Sequence, residues 1–257
     1  MSAAAIRAHN YRGWGLGAAA LPGFQRALGA LAESFDHPAP GTQRDRQIRP
    51  MEWEGRTYYV KYYASPTLKA RLKSLFNHSK AHNAHRCARR LRRVGIATPR
   101  VLAHLQRGRW AHPPEHLLVT EGVAGQTLRA TLRGPISTPH RRALVRALAA
   151  FLARLHDAGV YHGDFSAFNI MAQLTDPARP SWRVHLIDLD AVRSLHWIPQ
   201  RRQIKNLDEL GRSFLRLKEV STQDRLRFLH HYAQSRRGRR LPLRQLKERV
   251  CRRTARR

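Results

Sequence analysis

Cysteine is scarce in this chain of 257 residues: Cys87 and Cys251 are the two present, far apart and without metal-ligand spacing. That excludes a disulfide framework and a cysteine-based zinc site, and it suits a reducing compartment. Long apolar runs are missing too. The nearest approach to a membrane span or a leader peptide is Trp14 to Leu31, which Pro22, Gln25 and Arg26 interrupt. An amphipathic N-terminal segment of a cytoplasmic protein is expected there. Acidic residues are few, 17 against 48 Lys and Arg, so the formal charge is +31. Such a field implies a polyanionic partner (nucleic acid, anionic lipid headgroups or a phosphorylated sugar) without choosing among them. Glycines with the G-x-G-x-x-G spacing of a phosphate-covering loop are absent. Gly13-Trp14-Gly15-Leu16-Gly17 lies too far from the next expected strand to serve, and Gly41 to Arg46 is the candidate that is left.

What is present centres on Val160-Tyr161-His162-Gly163-Asp164-Phe165-Ser166-Ala167-Phe168-Asn169-Ile170. Asp164 and Asn169 are five positions apart, and Ile187-Asp188-Leu189-Asp190 follows across a short insertion. In a kinase loop of the form H-x-D-x-x-x-x-N, the Asp accepts the proton of the attacking hydroxyl. The Asn and a later Asp at a strand end hold magnesium against the nucleotide phosphates. The spacing has a geometric reason: the loop must present one carboxylate to the acceptor and turn back to face its amide toward the metal. His-Gly-Asp alone is also a common turn tripeptide, and a strand ending in Asp is ordinary. The loop followed by an apolar strand ending Asp-x-Asp is much harder to obtain by chance.

The flanking segments fit an α+β chain with a small β-rich N-terminal lobe and a mainly helical C-terminal lobe. Apolar residues make up 42%, enough for a core. The expected divisions are an N-terminal extension over 1–45, an N-terminal lobe over 46–121, a catalytic lobe over 122–235 and a basic tail over 236–257. Leu28, Leu31 and Phe35 recur at helical spacing and predict a short helix from Gln25 to Ser34. Glu54-Gly55 is a hairpin signal between Gln47–Trp53 and Arg56–Tyr63. Lys61 on the second strand sits where a kinase β3 lysine meets the nucleotide phosphates; taken alone it would be an exposed strand lysine. Residues 64–95 read as helix, stopped by Gly95. No Asp or Glu occurs from Gly55 through Pro114, a stretch with fourteen Lys and Arg, so this helix cannot supply an acidic partner for Lys61. The same charges form either a solvated basic face or a surface held against anionic headgroups.

Val101–Leu105 and His116–Thr120 read as strands, and Leu117-Leu118-Val119-Thr120-Glu121-Gly122 resembles a hinge linking lobes, with backbone groups for an adenine edge. Thr138-Pro139 opens a long helix with Leu144, Leu148, Phe151, Leu152 and Leu155 on one stripe, closed by Gly159. His156 near its end reads as a structural, hydrogen-bonding histidine. Residues 207–233 predict two helices, and from Arg236 onward eleven basic residues meet one acidic residue, Glu248.

Taken together, these stretches resemble the bacterial lipopolysaccharide core kinases, the group that includes the Kdo and heptose kinases. The resemblance is carried by Tyr59-Val60-Lys61-Tyr62-Tyr63, Arg92-Arg93-Val94-Gly95-Ile96-Ala97-Thr98-Pro99, Leu118 to Glu121, His162 to Ile170 and Leu186 to Asp190. Asn206 to Ser213 and Arg227 to Tyr232 extend it. It implies a protein-kinase-like fold and ATP-dependent phosphorylation of a sugar hydroxyl of the inner core. ATP and Mg2+ would be the cofactors, and a lipopolysaccharide core or lipid A precursor at the anionic inner-membrane surface the partner, with no specific nucleic acid. By position, Asp164 would be the base, Asn169 and Asp188 metal ligands with Asp190 assisting, and Lys61 and Glu121 nucleotide contacts. An atypical protein kinase, a small-molecule phosphotransferase and a non-catalytic binder of anionic lipid or nucleic acid are the alternatives.

Overall fold

Ala4–Ala8 (β1) and Tyr11–Gly15 (β2) bury Ile6, Ala8 and Tyr11 and form a hairpin with His9 left-handed at φ 51. A second hairpin joins Arg46–Trp53 (β3) to Arg56–Ala64 (β4). Its turn is Glu54-Gly55 with φ 48 and 68, the pair of positive angles that a two-residue primed turn requires. The computed structural model of the chain describes residues 3–36, 46–64, 80–108, 115–238 and 248. All of the phosphate-loop candidate before Arg46 (residues 41–45) and residues 65–79 of the helix expected over 64–95 lie outside those residues.

Contacts divide the chain into two compact units, residues 1–89 with 99–122 and residues 90–98 with 123–257. The first holds an antiparallel sheet in the order β1-β2-β5-β6-β4-β3, with β5 spanning Val101–Arg107 and β6 Glu115–Glu121. Edge strand β3 carries Pro50, where its missing N–H breaks no ladder. Helix α1, Pro22–Glu33, covers one face, and Phe24, Leu28 and Ala32 at four-residue spacing are fully buried. Phe24 meets Trp53 and Tyr58 edge-on, with centroids 5.2 and 5.0 Å away.

This helix starts three residues before the predicted one, because Pro22 stands at its first turn, where proline's fixed φ suits a helix. The hairpin before it was not anticipated. Its Ala and Gly residues have weak strand propensity, and Gly13 is needed for close packing, since a Cβ there would sit 2.0 Å from the His104 carbonyl oxygen. A polar cluster joins one end of β2, β5 and β6. Arg107 reaches Glu115 at 2.7 Å and Asp36 at 2.9 Å, and Tyr11 donates its hydroxyl to Glu115 at 2.9 Å.

In the second unit, Thr127 caps helix α3 (Leu128–Arg133) by accepting from the Ala130 amide. The long helix α4 runs Thr138–Asp157, with Ser137 in the N-cap position one residue before the expected Thr138. Its apolar stripe is buried, and the left-handed Gly159 (φ 72) ends it where any Cβ would meet the Leu195 carbonyl at 2.2 Å. Val160–His162 (β8) pairs with Val192–Ser194 (β11), and Ile170–Asp176 (β9) with Ser181–Leu186 (β10). Gln126–Thr127 (β7) adds to β9. Helices α5 (Gln200–Leu215) and α6 (Thr222–Ser235) complete the unit, α6 beginning with a Ser221/Asp224 capping box. Helix α2, Lys80–Arg93, carries the chain from one unit into the other.

Four imidazoles gather in the first unit: His82 and His85 on α2, His104 on β5 and His116 on β6. His104 Nε2 lies 3.3 Å from His116 Nδ1, and the His85 ring packs 4.5 Å from Trp14. Burial pulls His104 down to about 3 and His85 and His116 to about 4, aided by neighbouring His116 and His82 and, at His85, by Arg89, against which Glu115 works at His116. In the unfolded chain these rings titrate near 6.5. The unfolded state therefore binds more protons below that value, so their contribution to stability is complete above about pH 6.5 and is lost progressively toward pH 4. Thermal melts should fall steeply over this range, and a His104→Gln variant should flatten the decline. An unchanged slope would refute the assignment.

Candidate active site

The site begins at the C-terminal end of α4. Gly159 reverses the chain, β8 follows, and its last residue, His162, is completely enclosed. The His162 ring has a donor role at one nitrogen and an acceptor role at the other. Nε2 donates to the main-chain oxygen of Asp188, and Nδ1 accepts the Asp164 amide at 3.1 Å. Both bonds exist together only in the neutral Nε2–H tautomer. One imidazole thus ties the loop after β8 to the segment after β10.

The loop then folds back on itself. Asn169 donates its side-chain amide to the Asp164 carbonyl at 2.9 Å and to Asp164 Oδ2 at 3.0 Å. The Asn169 carbonyl accepts the Ile187 amide at 3.1 Å, and Ile170 opens β9 directly opposite Leu186, the last residue of β10. These pairings bring Asp164, Asn169 and Asp188 to one end of the β9–β10 hairpin. Asp164 is exposed, whereas Asn169, Asp188 and Asp190 are half-buried. Asp188 Oδ1 accepts the Asp190 amide at 3.3 Å, so the Asp-x-Asp unit is a short turn past the strand end.

Lys61 and Glu121 belong to the first unit. Lys61 is buried in β4 opposite Leu118 of β6, and Glu121 lies three residues beyond Leu118, on the other face of the sheet. The Glu121 amide donates to the Arg100 carbonyl at 2.9 Å, and its carboxylate is 3.8 Å from the Arg100 guanidinium.

Three residues that hold the loop carried no assigned role in the sequence. Asn206 of α5, fully buried, donates to the His162 carbonyl and accepts the His162 amide at 3.4 Å. Glu209 accepts the Phe165 amide at 3.2 Å, and Ser213 accepts the Ala167 amide at 3.3 Å. Positions 206, 209 and 213 share one helical face. A polar line interleaved with Leu207, Leu210 and Phe214 is the signal that would have found them. His156 is a hydrogen-bonding core residue, as its sequence position suggested, bonded to Tyr232 at 2.7 Å and Asn206 at 3.2 Å.

The donors at the hairpin end are carboxylate and amide oxygens. Among the described residues no cluster of three or more His, Cys, Asp or Glu is built to hold a metal. That donor set fits magnesium, which takes one or two carboxylates and completes its shell with water and phosphate, and it does not fit zinc.

The family model described as "Lipopolysaccharide kinase (Kdo/WaaP) family" matches residues 35–232. The lipopolysaccharide core heptose(I) kinase WaaP of Pseudomonas aeruginosa is 29% identical over 201 residues, 73% of each chain. A solved structure of WaaP in complex with acyl carrier protein superposes with a TM-score of 0.63 at 24% identity, covering 87% of this chain and 91% of that one. Amicoumacin kinase hAmiN, in complex with AMP-PNP, Ca2+ and Ami, gives 0.56 at 12% identity over 86% and 83%.

Replacing His162 by Ala would take from the Asp164 amide and the Asp188 carbonyl their bonds to the ring and open a cavity beside them. A loss of roughly 2–4 kcal/mol in urea unfolding is expected, with faster amide exchange at Asp164. Unchanged exchange there would contradict the clamp.

Proposed function

The chain belongs to the lipopolysaccharide kinase (Kdo/WaaP) family and is an ATP-dependent phosphotransferase of protein-kinase-like, mixed α+β fold. From that premise we propose that it transfers the γ-phosphoryl group of ATP to a sugar hydroxyl of the lipopolysaccharide inner core, with heptose the acceptor favoured by the WaaP relative. The supporting observation is the convergence of Asp164, Asn169 and Asp188 through the two bonds of His162.

In this proposal the exposed carboxylate of Asp164 accepts the proton of the sugar hydroxyl as its oxygen attacks phosphorus in line. Asn169 steadies that carboxylate through its bond to Oδ2, which sets the direction in which the remaining lone pairs face. Asn169 and Asp188 would hold Mg2+, with Asp190 assisting, and the ion would supply charge neutralisation of the phosphate oxygens. Lys61 is assigned to the nucleotide phosphates and Glu121 to the adenine side. Catalysis is then mainly positioning and electrostatic stabilisation.

Among the described residues no helix is long and apolar enough to cross a membrane. The proposed workplace is the cytoplasmic face of the inner membrane, where the charge of +31 would hold the enzyme against anionic lipid.

Two measurements test these assignments. Asp164→Asn, close in shape to the native residue, should cut phosphorylation of lipopolysaccharide from cells lacking the protein by about a thousandfold or more while leaving the melting temperature unchanged. Turnover at the wild-type rate would refute the role of Asp164. Binding to vesicles containing phosphatidylglycerol should weaken strongly between about 50 and 500 mM salt, and salt-insensitive binding would argue against electrostatic attachment.

A further inference from the structure

A second set of buried polar groups leads away from the loop, and the proposed phosphotransfer does not use it. Arg236, the first residue after α6, is only 5% exposed. Its guanidinium donates to Asp157 at 2.7 Å, to Gln203 at 2.6 Å and to the Tyr232 hydroxyl at 3.0 Å. Asp157 also accepts the amides of Arg237 and Gly238 at 2.8 and 3.1 Å, so the end of α4 grips three successive residues that follow α6.

The direction of every bond from there is determined. The side-chain nitrogen of Asn206 faces two acceptors, the His162 carbonyl and Glu209 Oε2, so its oxygen faces His156. His156 must then donate through Nε2 and accept at Nδ1 from the Tyr232 hydroxyl. Tyr232, its hydroxyl hydrogen directed at His156, accepts from Arg236 through its oxygen. The chain therefore runs one way, from a fixed cation through Tyr232, His156 and Asn206 to the backbone of the loop that carries Asp164. Burial keeps His156 neutral, its pKa pulled down to about 3, as the single-donor role demands. The Tyr232 phenol is pushed up to about 12 by burial, so it keeps the proton it donates.

Apolar residues would pack α4, α5 and α6 together as well as this chain does. What apolar packing lacks is direction, and bonds aligned head to tail polarise and register one another. We propose that Arg236 and Tyr232 are positioning residues for the phosphotransfer site, setting through His156 and Asn206 the register in which the loop presents Asp164. Seating of residues 236–238 on Asp157 thereby governs turnover and not nucleotide affinity. The inference rests on the assignment of Asp164 to the reaction.

The test uses the full chain, with lipopolysaccharide from cells lacking the protein as acceptor. Tyr232→Phe keeps the ring and removes the hydroxyl. It should lower kcat about tenfold and leave KM for ATP within about twofold. Phe228→Leu, a buried change on the same helix with no polar group, should reduce the melting temperature while kcat stays within about twofold. Arg236→Lys, which cannot reach Asp157, Gln203 and Tyr232 at once, should act like Tyr232→Phe. The double variant should lose no more than either single one, because both break one chain. If Tyr232→Phe does not fold, Arg236→Lys is judged by the same criteria. Amide exchange at Asp164 and Ala167 should quicken in either relay variant, a readout that needs no turnover. A wild-type chain that turned over nothing would sink the phosphotransfer assignment itself, while exchange would still decide whether the relay holds the loop. The inference is overturned if the folded relay variants keep wild-type kcat, if Phe228→Leu loses as much, or if exchange does not change.

Discussion

The enclosed ring of His162 is the constraint on which the site depends. Two segments distant in sequence meet there: the end of β8 with the loop that follows it, and the turn after β10. A single neutral imidazole can join them because its two nitrogens do opposite things, one donating a hydrogen bond to a carbonyl and the other accepting one from an amide. A protonated ring would donate at both nitrogens and lose the Asp164 amide; the other tautomer would lose both bonds. Its complete burial keeps water from competing for either partner.

Behind that ring lies a polar layer in what would otherwise be an ordinary apolar helix interface. Asn206, Glu209 and Ser213 turn one face of α5 toward the loop backbone, while Leu207, Leu210 and Phe214 are buried among the helices. The loop has no ladder of its own between β8 and β9, and its amides need partners from elsewhere. A helix running beneath it provides them at fixed intervals. Rigid support beneath and exposure at Asp164 are complementary: the carboxylate faces solvent while the backbone carrying it is held from below.

The first unit follows a different logic. Its core is aromatic and aliphatic, with Phe24, Leu28 and Tyr58 on α1 and the sheet. The stretch Gly55 to Pro114 has no carboxylate, so α2 cannot present the acidic partner found in protein kinases. In its place that helix presents His82 and His85 toward the sheet and arginines along the rest of its length.

Local chemistry made much of this legible. The Glu54-Gly55 turn, the strands flanking it, the apolar stripe of α4 and the spacing of Asp164 to Asn169 each depend on residues near one another in the chain, and such signals survive in a linear text. Other features hid because their partners are remote. The β1–β2 hairpin is rich in Ala and Gly, which are weak strand formers, and Gly13 lets β2 lie against β5, about ninety residues later. Pro22 looked like an interruption and is a helix start. Which groups could do chemistry was readable in advance, since side-chain identity and short-range spacing are properties of the linear chain. What holds those groups in place was not. The bonds from Asn206, Tyr232 and Arg236 cross between helices, and a buried donor finds its acceptor only after the chain has folded.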